Sequence, residues 1–198
     1  MSAVKSRREE YAQNTREALV RSGAALFADR AFAEVSAEEL VAAAGLSRGA
    51  LYHHFGGKQG LFAAVFEDLE NTAAERIAAA MSEPAGLREK TIAGMSAFLD
   101  ICTDHAYRQI VLLQGPLVLG WERWRELDRR SLAGLMVTQT KLLKEQGLTR
   151  FSPELVAAMF YGGLTDMSFV LAAAPDPAPI RAEAARMLED LLDSLRPA

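Results

Sequence analysis

Apolar residues recur at three- and four-residue intervals along almost the whole chain, the spacing of one face of an α-helix. No run of alternating β-branched residues bounded by turns interrupts them. Leu19, Gly23, Leu26 and Phe27 form one stripe and predict a first helix over about 13–29, with Phe32 docking on the same core just beyond it. Ser36-Ala37-Glu38-Glu39 has the capping-box pattern, in which the serine and the glutamate three residues on satisfy each other's free backbone donors. A short helix therefore begins there, with Leu40 and Ala44 facing inward; Gly45 stops it and Leu46 turns back to the core. Ser47 caps a second short helix with Leu51 and Phe55 inward. Gly56-Gly57 ends that one, and Lys58 opens a longer helix carrying Leu61, Phe62, Val65 and Leu69 at helical spacing.

Longer helices follow. Pro84 and Gly86 separate the Lys58 helix from one carrying Ile92, Met95, Phe98, Leu99 and Cys102. Gly115-Pro116 is expected to interrupt the apolar stretch 110–119. One helix is predicted from Trp121 to Gln146, with Trp124, Leu127, Leu132, Leu135, Met136, Gln139, Leu142 and Leu143 on one side, and Gly147 stops it. Ser152-Pro153 is a helix start, a cap followed by a first-turn proline, and the helix is apolar around much of its circumference from Leu155 to Ala174. Three alternating prolines make 175–179 non-helical in this reading. The last helix has Ile180, Ala184, Met187, Leu188, Leu191, Leu192 and Leu195 in one stripe. The fold class is all-α, with about nine helices.

Composition narrows the partners. The 198 residues carry 26 acidic and 22 basic side chains, a net charge of −4, and half of them are apolar, which excludes a disordered or collagen-like chain. A single cysteine excludes an intrachain disulfide framework and a multi-cysteine metal site, and fits a reducing compartment, the cytoplasm. The first residues, MSAVKSRREEY, have no apolar segment of a secretory signal, and no apolar run approaches a membrane span, so no membrane partner is expected. The acid excess argues against nucleic acid, but binding depends on where charge sits. Residues 1–60 are nearly neutral at +1, with Lys5, Arg7, Arg8 and Arg16 near the start and Arg48 and Lys58 near the end, while 61–198 sum to −5.

The informative stretch is 36–58, two short helices joined by a glycine turn, the pattern of a helix-turn-helix whose second helix enters a DNA major groove about 12 Å wide. With Leu46, Leu51 and Phe55 inward, Arg48, Gly49, Tyr52 and His53 are left outside. Arg48 suits guanine edges or phosphate, Gly49 close backbone approach, and Ala50 a thymine methyl; Tyr52 and His54 suit phosphate. Lys58, Ser36 and Ser47 sit at helix N-termini, where backbone N–H groups attract phosphate. A purely structural αα-hairpin would share the spacing. The run S-R-G-A-L-Y-H-H-F-G-G-K-Q-G-L-F is more specific: it resembles the recognition-helix region of the TetR family of transcriptional repressors, and Phe27, Phe32, Ser36 and Gly45 fall where that pattern puts them. The motif covers residues 13–65; beyond it the resemblance lies in helix number, order and length, and in G-P-L-V-L-G-W-E-R-W-R-E-L-D, which is similar to stretches of some effector domains. Glu38 departs from the pattern, since a carboxylate repels phosphate; it is expected to face solvent at its helix N-terminus.

The resemblance implies a DNA-binding domain over 1–60, an effector-binding and dimerisation domain over 61–198, a double-stranded operator, a small-molecule effector and a homodimer. Met167, Leu171, Met187, Leu188, Leu191 and Leu192, with Met159 and Leu164, are candidates for a four-helix dimer interface, although each also suits the chain's own core. Phe66, Met95, Phe98, Leu99 and Cys102, together with Trp121, Trp124, Met136, Met159 and Tyr161, are candidates for an effector pocket, against the plainer reading of core packing. Asp104, His105 and Tyr107 are read as a solvated helix end, and Cys102 as a buried structural thiol. His53, His54 and His105 make no metal site, and no cofactor is expected. A helical small-molecule-binding or enzymatic protein that has lost DNA binding, and a purely structural helical dimer, are the alternatives. No Ser-His-Asp set, Gly-rich phosphate loop or metal-ligand pair supports the first, and the Gly49, Tyr52 and Lys58 pattern favours DNA binding over both.

Overall fold

The computed structural model of the chain describes residues 7–130 and 134–196; Lys5, Leu132 and the side chain of Arg8 lie outside this description. The elements, in order, are α1 (Arg7–Asp29), a 3-10 turn (Phe32–Glu34), α2 (Ala37–Ala43), α3 (Arg48–Phe55), α4 (Lys58–Ser82) and α5 (Leu87–Ile101). A π-helical segment (Tyr107–Gln114) follows, then α6 (Gly115–Leu119), α7 (Trp121–Asp128), α8 (Gly134–Glu145), α9 (Pro153–Ala173) and α10 (Pro177–Ser194). There is no strand among the described residues, so the fold is all-α.

The first helix starts well before the apolar stripe. Its opening turns are polar, and Glu9 and Glu10 sit in the first turn, where the helix dipole favours negative charge. Two cores are strung along α4. Leu61, Phe62, Ala64 and Val65 pack with Leu19, Phe27, Leu40 and Leu51 in the N-terminal core. Phe66, Ala73 and Ile77 join Leu99, Val111, Trp124 and Phe160 in the larger one. One helix thus belongs to both, and Leu69 packs against each.

Two proline expectations are corrected. Gly115-Pro116 does not break the helical path: the π-helical segment runs directly into α6, whose first turn holds Pro116. Gly115 is required there, because a Cβ would lie 2.8 Å from Trp124 Cδ1. Likewise Pro177 and Pro179 lie inside the first turn of α10, capped by the Asp176 side chain accepting from the Ala178 N–H at 3.2 Å. In the larger domain α5 packs on α4 and α10, and α8 packs on α9.

Candidate nucleic-acid interface and effector cavity

The α2–α3 pair is built by local hydrogen bonds. Ser36 Oγ accepts from the Glu39 N–H at 3.1 Å and Glu39 Oε2 accepts from the Ser36 N–H at 2.8 Å, the reciprocal box expected there. Arg30 adds a 2.6 Å bond to Glu39 Oε1, and these donors hold the Glu39 carboxyl down at about 2. After α2 the chain turns through Gly45 at φ +66°, a conformation that costs a side-chain-bearing residue, and the Leu46 N–H reaches back to the Val41 carbonyl at 2.8 Å. Ser47 then caps α3 through the Ala50 N–H at 3.3 Å. Leu51 is fully buried and anchors α3, while Phe55 is half-buried.

This leaves Arg48, Gly49, Tyr52 and His53 exposed together on the outer side of α3, as the pattern implied, with Ala50 and His54 half-buried. Glu38 does not simply face water. Its Oε1 pairs with Arg48 Nη1 at 2.7 Å, and the guanidinium lies 5.5 Å from the Tyr52 ring centre. The α2 carboxylate and the α3 aromatic thus orient the α3 arginine before any partner arrives. The His54 ring is shifted toward its neutral form, by burial first and then by the neighbouring His53 and Arg16 charges, so it offers an N–H more readily than a charge. Ser36 and Ser47 use their hydroxyls as caps, with the N-terminal backbone of α2 and α3 beneath them.

Lys58 has a role that spacing did not reveal. Its ammonium donates to the Phe32 carbonyl at 2.8 Å and the Val35 carbonyl at 2.9 Å, and sits 4.1 Å from the Phe32 ring centre. It ties the 3-10 turn to the start of α4 and points into the protein, so the phosphate contact expected of that ammonium gives way to a brace. Gly60 was also missed: a Cβ there would fall 1.8 Å from the Phe55 carbonyl oxygen, so only glycine lets α3 and α4 meet this closely.

The larger domain holds a cavity of about 70 Å³ between α4, α5, α7, α8 and α9. Of the ten candidate pocket residues, Met95, Phe98, Met136 and Tyr161 line it. The other six do not. Phe66, Leu99, Cys102 and Trp124 are consumed by the packed core around it, where Trp124 Nε1 donates to the Val111 carbonyl at 2.8 Å. Trp121 and Met159 are exposed at the surface, Trp121 stacked on Trp124 with ring centres 5.0 Å apart. Cys102 is buried, and burial first, then the Glu70 and Asp128 charges, push its thiol well up, away from reactivity.

The polar part of the cavity escaped sequence reasoning. Asp128 is only 5% exposed on the cavity wall, and Tyr161 donates its hydroxyl to the carboxylate. Burial pushes the Asp128 carboxyl up, against Tyr161, Arg125 and Arg129, which favour its charge. Nearby, Glu70 Oε1 accepts from the Tyr107 hydroxyl at 2.7 Å, whereas its Oε2 is buried without a partner. Burial, and then the Asp128 charge, push the Glu70 carboxyl up to about 8. Tyr107 is therefore interior, not part of a solvated helix end; Asp104 and His105 are exposed as expected, the first paired with Arg76. Both acids sit at helical positions indistinguishable by spacing from surface ones.

The π-helical segment links the core of the larger domain to the head. Tyr107 holds Glu70 at one end. At the other, Gln114 Nε2 donates to the Phe27 carbonyl and its Oε1 accepts from the Phe32 N–H, both at 2.8 Å. Gln59 Nε2 donates to the Val118 carbonyl at 3.0 Å, and His105 Nε2 lies 3.2 Å from Asp29 Oδ1.

The candidate interface residues divide. Leu171, Leu188 and Leu192 are buried in the chain's own core, as is Leu164, and Met167 and Leu191 are half-buried against it, while Met187 is 51% exposed. Instead α9 presents Leu155, Met159 and Val170 outward, with Gly162 and Gly163 between them under open space. By length and composition α9 is apolar enough to cross a membrane, but half of that stretch is buried within the chain, and its outer stripe accounts for much of the rest.

A helix-turn-helix head on a helical domain with an interior cavity defines the class of DNA-binding transcriptional regulators. Residues 19–65 match the family described as bacterial regulatory proteins, tetR family, and residues 88–195 the tetracyclin repressor-like C-terminal domain. The chain belongs to the TetR family of transcriptional regulators, which are not enzymes. A TetR-family transcriptional regulator from Pectobacterium atrosepticum is 30% identical, covers 98% of this chain and 99% of its own, and superposes with a TM-score of 0.83. The TetC protein of transposon Tn10 from Escherichia coli is 24% identical over 162 residues, 80% of each chain. The fatty acid degradation regulator FadR from Bacillus halodurans shares the fold at 15% identity, covering 94% of this chain and 96% of its own with a TM-score of 0.73.

Proposed function

We propose that this regulator is a ligand-responsive repressor, a homodimer that grips a palindromic operator through two copies of α3 set about 34 Å apart, one helical turn of DNA. It works in the cytoplasm, alongside its DNA. The observation that carries the reading is the outer face of α3: Arg48, Tyr52 and His53 stand exposed on a helix fixed from behind by Leu51 and capped by Ser47. Arg48 and Tyr52 read base edges or phosphate, Gly49 and Ala50 allow close approach, and His53 and His54 meet the backbone. Ser36 and Ser47 leave N-terminal amides of α2 and α3 for phosphates.

Dimerisation rests on α9 and α10. Leu155, Met159, Val170 and Met187 are exposed apolar side chains, and the bare Gly162-Gly163 surface lets a partner helix come close. A small molecule in the cavity favours one of two arrangements of the α4–α9 helices. The shift reaches the head along α4, common to both cores, and through Gln114, whose amide clasps the end of α1 and the 3-10 turn. Selection of bound sequences from a random duplex pool tests the reading. A two-fold symmetric site is expected, and the absence of any sequence-specific binding at low salt overturns it.

A further inference from the structure

The cavity's charge pattern narrows its ligand, given the reading that this domain binds an effector. Among the described residues its wall holds no lysine, arginine or histidine, and the one carboxyl there is Asp128. Among the described residues the Tyr161 hydroxyl is the only donor that reaches this group. Arg125 and Arg129 favour the Asp128 charge from its own helix and the residue after it, yet neither lines the cavity, and Arg129 is exposed. A second acid, Glu70 on α4, stands close enough to feel the Asp128 charge, with one oxygen buried and unpartnered and the other held by Tyr107. Such a site resists anions, because no cation faces them. It also leaves a desolvated carboxylate unrelieved when the guest is neutral.

The remaining wall suits an organic cation. Phe98 and Phe160 line it with aromatic rings, whose negative quadrupole attracts an ammonium group, while the Tyr161 ring already has the Arg129 guanidinium 5.9 Å from its centre. Met95 and Met136 supply polarisable, adaptable contacts for an apolar body. A shallower groove of about 400 Å³ between α4, α5 and α8 shares Met81, Leu135 and Gln139 with the cavity and offers a way in. Lys90 lines this groove but not the cavity, so it does not neutralise Asp128.

We propose that the cavity takes the ammonium end of a small organic monocation, a protonated amine whose aromatic or apolar body extends into the adjoining groove, with the Asp128 carboxylate as counter-ion and Tyr161 positioning it. Bound charge at Asp128 also relieves the repulsion felt by Glu70, so binding releases protons. The full-length protein is titrated with three compounds of one skeleton, benzylamine, benzyl alcohol and benzoate, by calorimetry and thermal unfolding. Benzylamine should bind at least tenfold more tightly than benzyl alcohol and raise the unfolding temperature, and benzoate should do neither. Between pH 6 and 8 benzylamine binding should tighten, and in Asp128→Asn it should fall to the level of the alcohol. Equal or tighter binding of the alcohol or the benzoate overturns the proposal, as does no benzylamine binding at millimolar concentration, or full binding by Asp128→Asn. The wild-type series decides even if that variant fails to fold. Operator selection needs no ligand, so a protein that finds a palindrome yet prefers benzoate keeps the repressor reading and loses this one.

Discussion

Arg48 and Lys58 are the two cations of the helix-turn-helix nearest its recognition helix, and they do opposite things. Arg48 is exposed, lightly restrained by Glu38, and its loss removes nothing from the core. Lys58 is half-buried with its ammonium on two carbonyls of the preceding turn. Arg48→Ala should therefore weaken operator binding by about 1–3 kcal/mol, the value of a good base contact, so roughly tenfold or more in fluorescence anisotropy. Its stability should stay within about 0.5 kcal/mol of the parent, as for most exposed positions. Lys58→Met should do the reverse, lowering stability by about 2 kcal/mol in urea unfolding through the loss of hydrogen bonds from a charged donor. If Lys58→Met leaves the unfolding midpoint unchanged and abolishes binding, Lys58 contacts phosphate after all. Sequence alone places a lysine at a helix N-terminus; whether its long side chain swings outward or back over Phe32 depends on a turn whose path spacing does not encode.

At the scale of elements, what the pattern conveyed and what it hid divide along one line. Helix starts with local causes were legible: the Ser36–Glu39 box, the Ser47 cap and the Ser152-Pro153 start are all where local chemistry puts them. The π-helical segment was not legible, because its registers are decided by what packs on it, Tyr107 on Glu70 and Gln114 on the head. The cavity was half legible for the same reason: apolar stripes locate helices that could line it, but only packing separates Met95 and Phe98 on its wall from Phe66 and Leu99 beneath it. Helix α9 shows the limit most plainly. It is apolar on nearly all sides, and the sequence cannot say which side is core and which awaits a partner. The structure buries Leu164 and Leu171 and exposes Leu155, Met159 and Val170. Val170→Glu should accordingly convert a dimer to a monomer in sedimentation or light scattering while far-UV circular dichroism stays that of a folded helical chain. Leu171→Glu, aimed at the core, should unfold it instead. A Val170→Glu protein that remains dimeric would remove α9 from the interface.

For the whole molecule the question is how a chain of net charge −4 holds a polyanion. The acid excess lies in residues 61–198, at −5, and the head is close to neutral at +1. Within the head several cations are already engaged: Arg30 with Glu39, Arg48 with Glu38, Lys58 with carbonyls, and Arg21 within 3.9 Å of Glu17. Few remain for phosphates, so much of the grip must come from placed contacts and helix-end amides, which release few counter-ions. Each neutralised phosphate steepens the dependence of log K on log salt by about 0.9. The slope for a dimer on its operator should therefore stay shallow, about −3 to −5, and non-specific binding should be weak at physiological salt. Anisotropy titrations from 50 to about 300 mM salt measure both. A slope near −10, the steepness of a repressor with many phosphate contacts, would mean that cations engaged here in pairs let go of their carboxylates on the DNA. Glu38→Gln separates the two cases. If Arg48 stays paired in the complex, removing the carboxylate frees one charge in each subunit and should steepen the slope by about 0.9 per subunit; if the pair opens on binding, the slope should hold and affinity alone should rise.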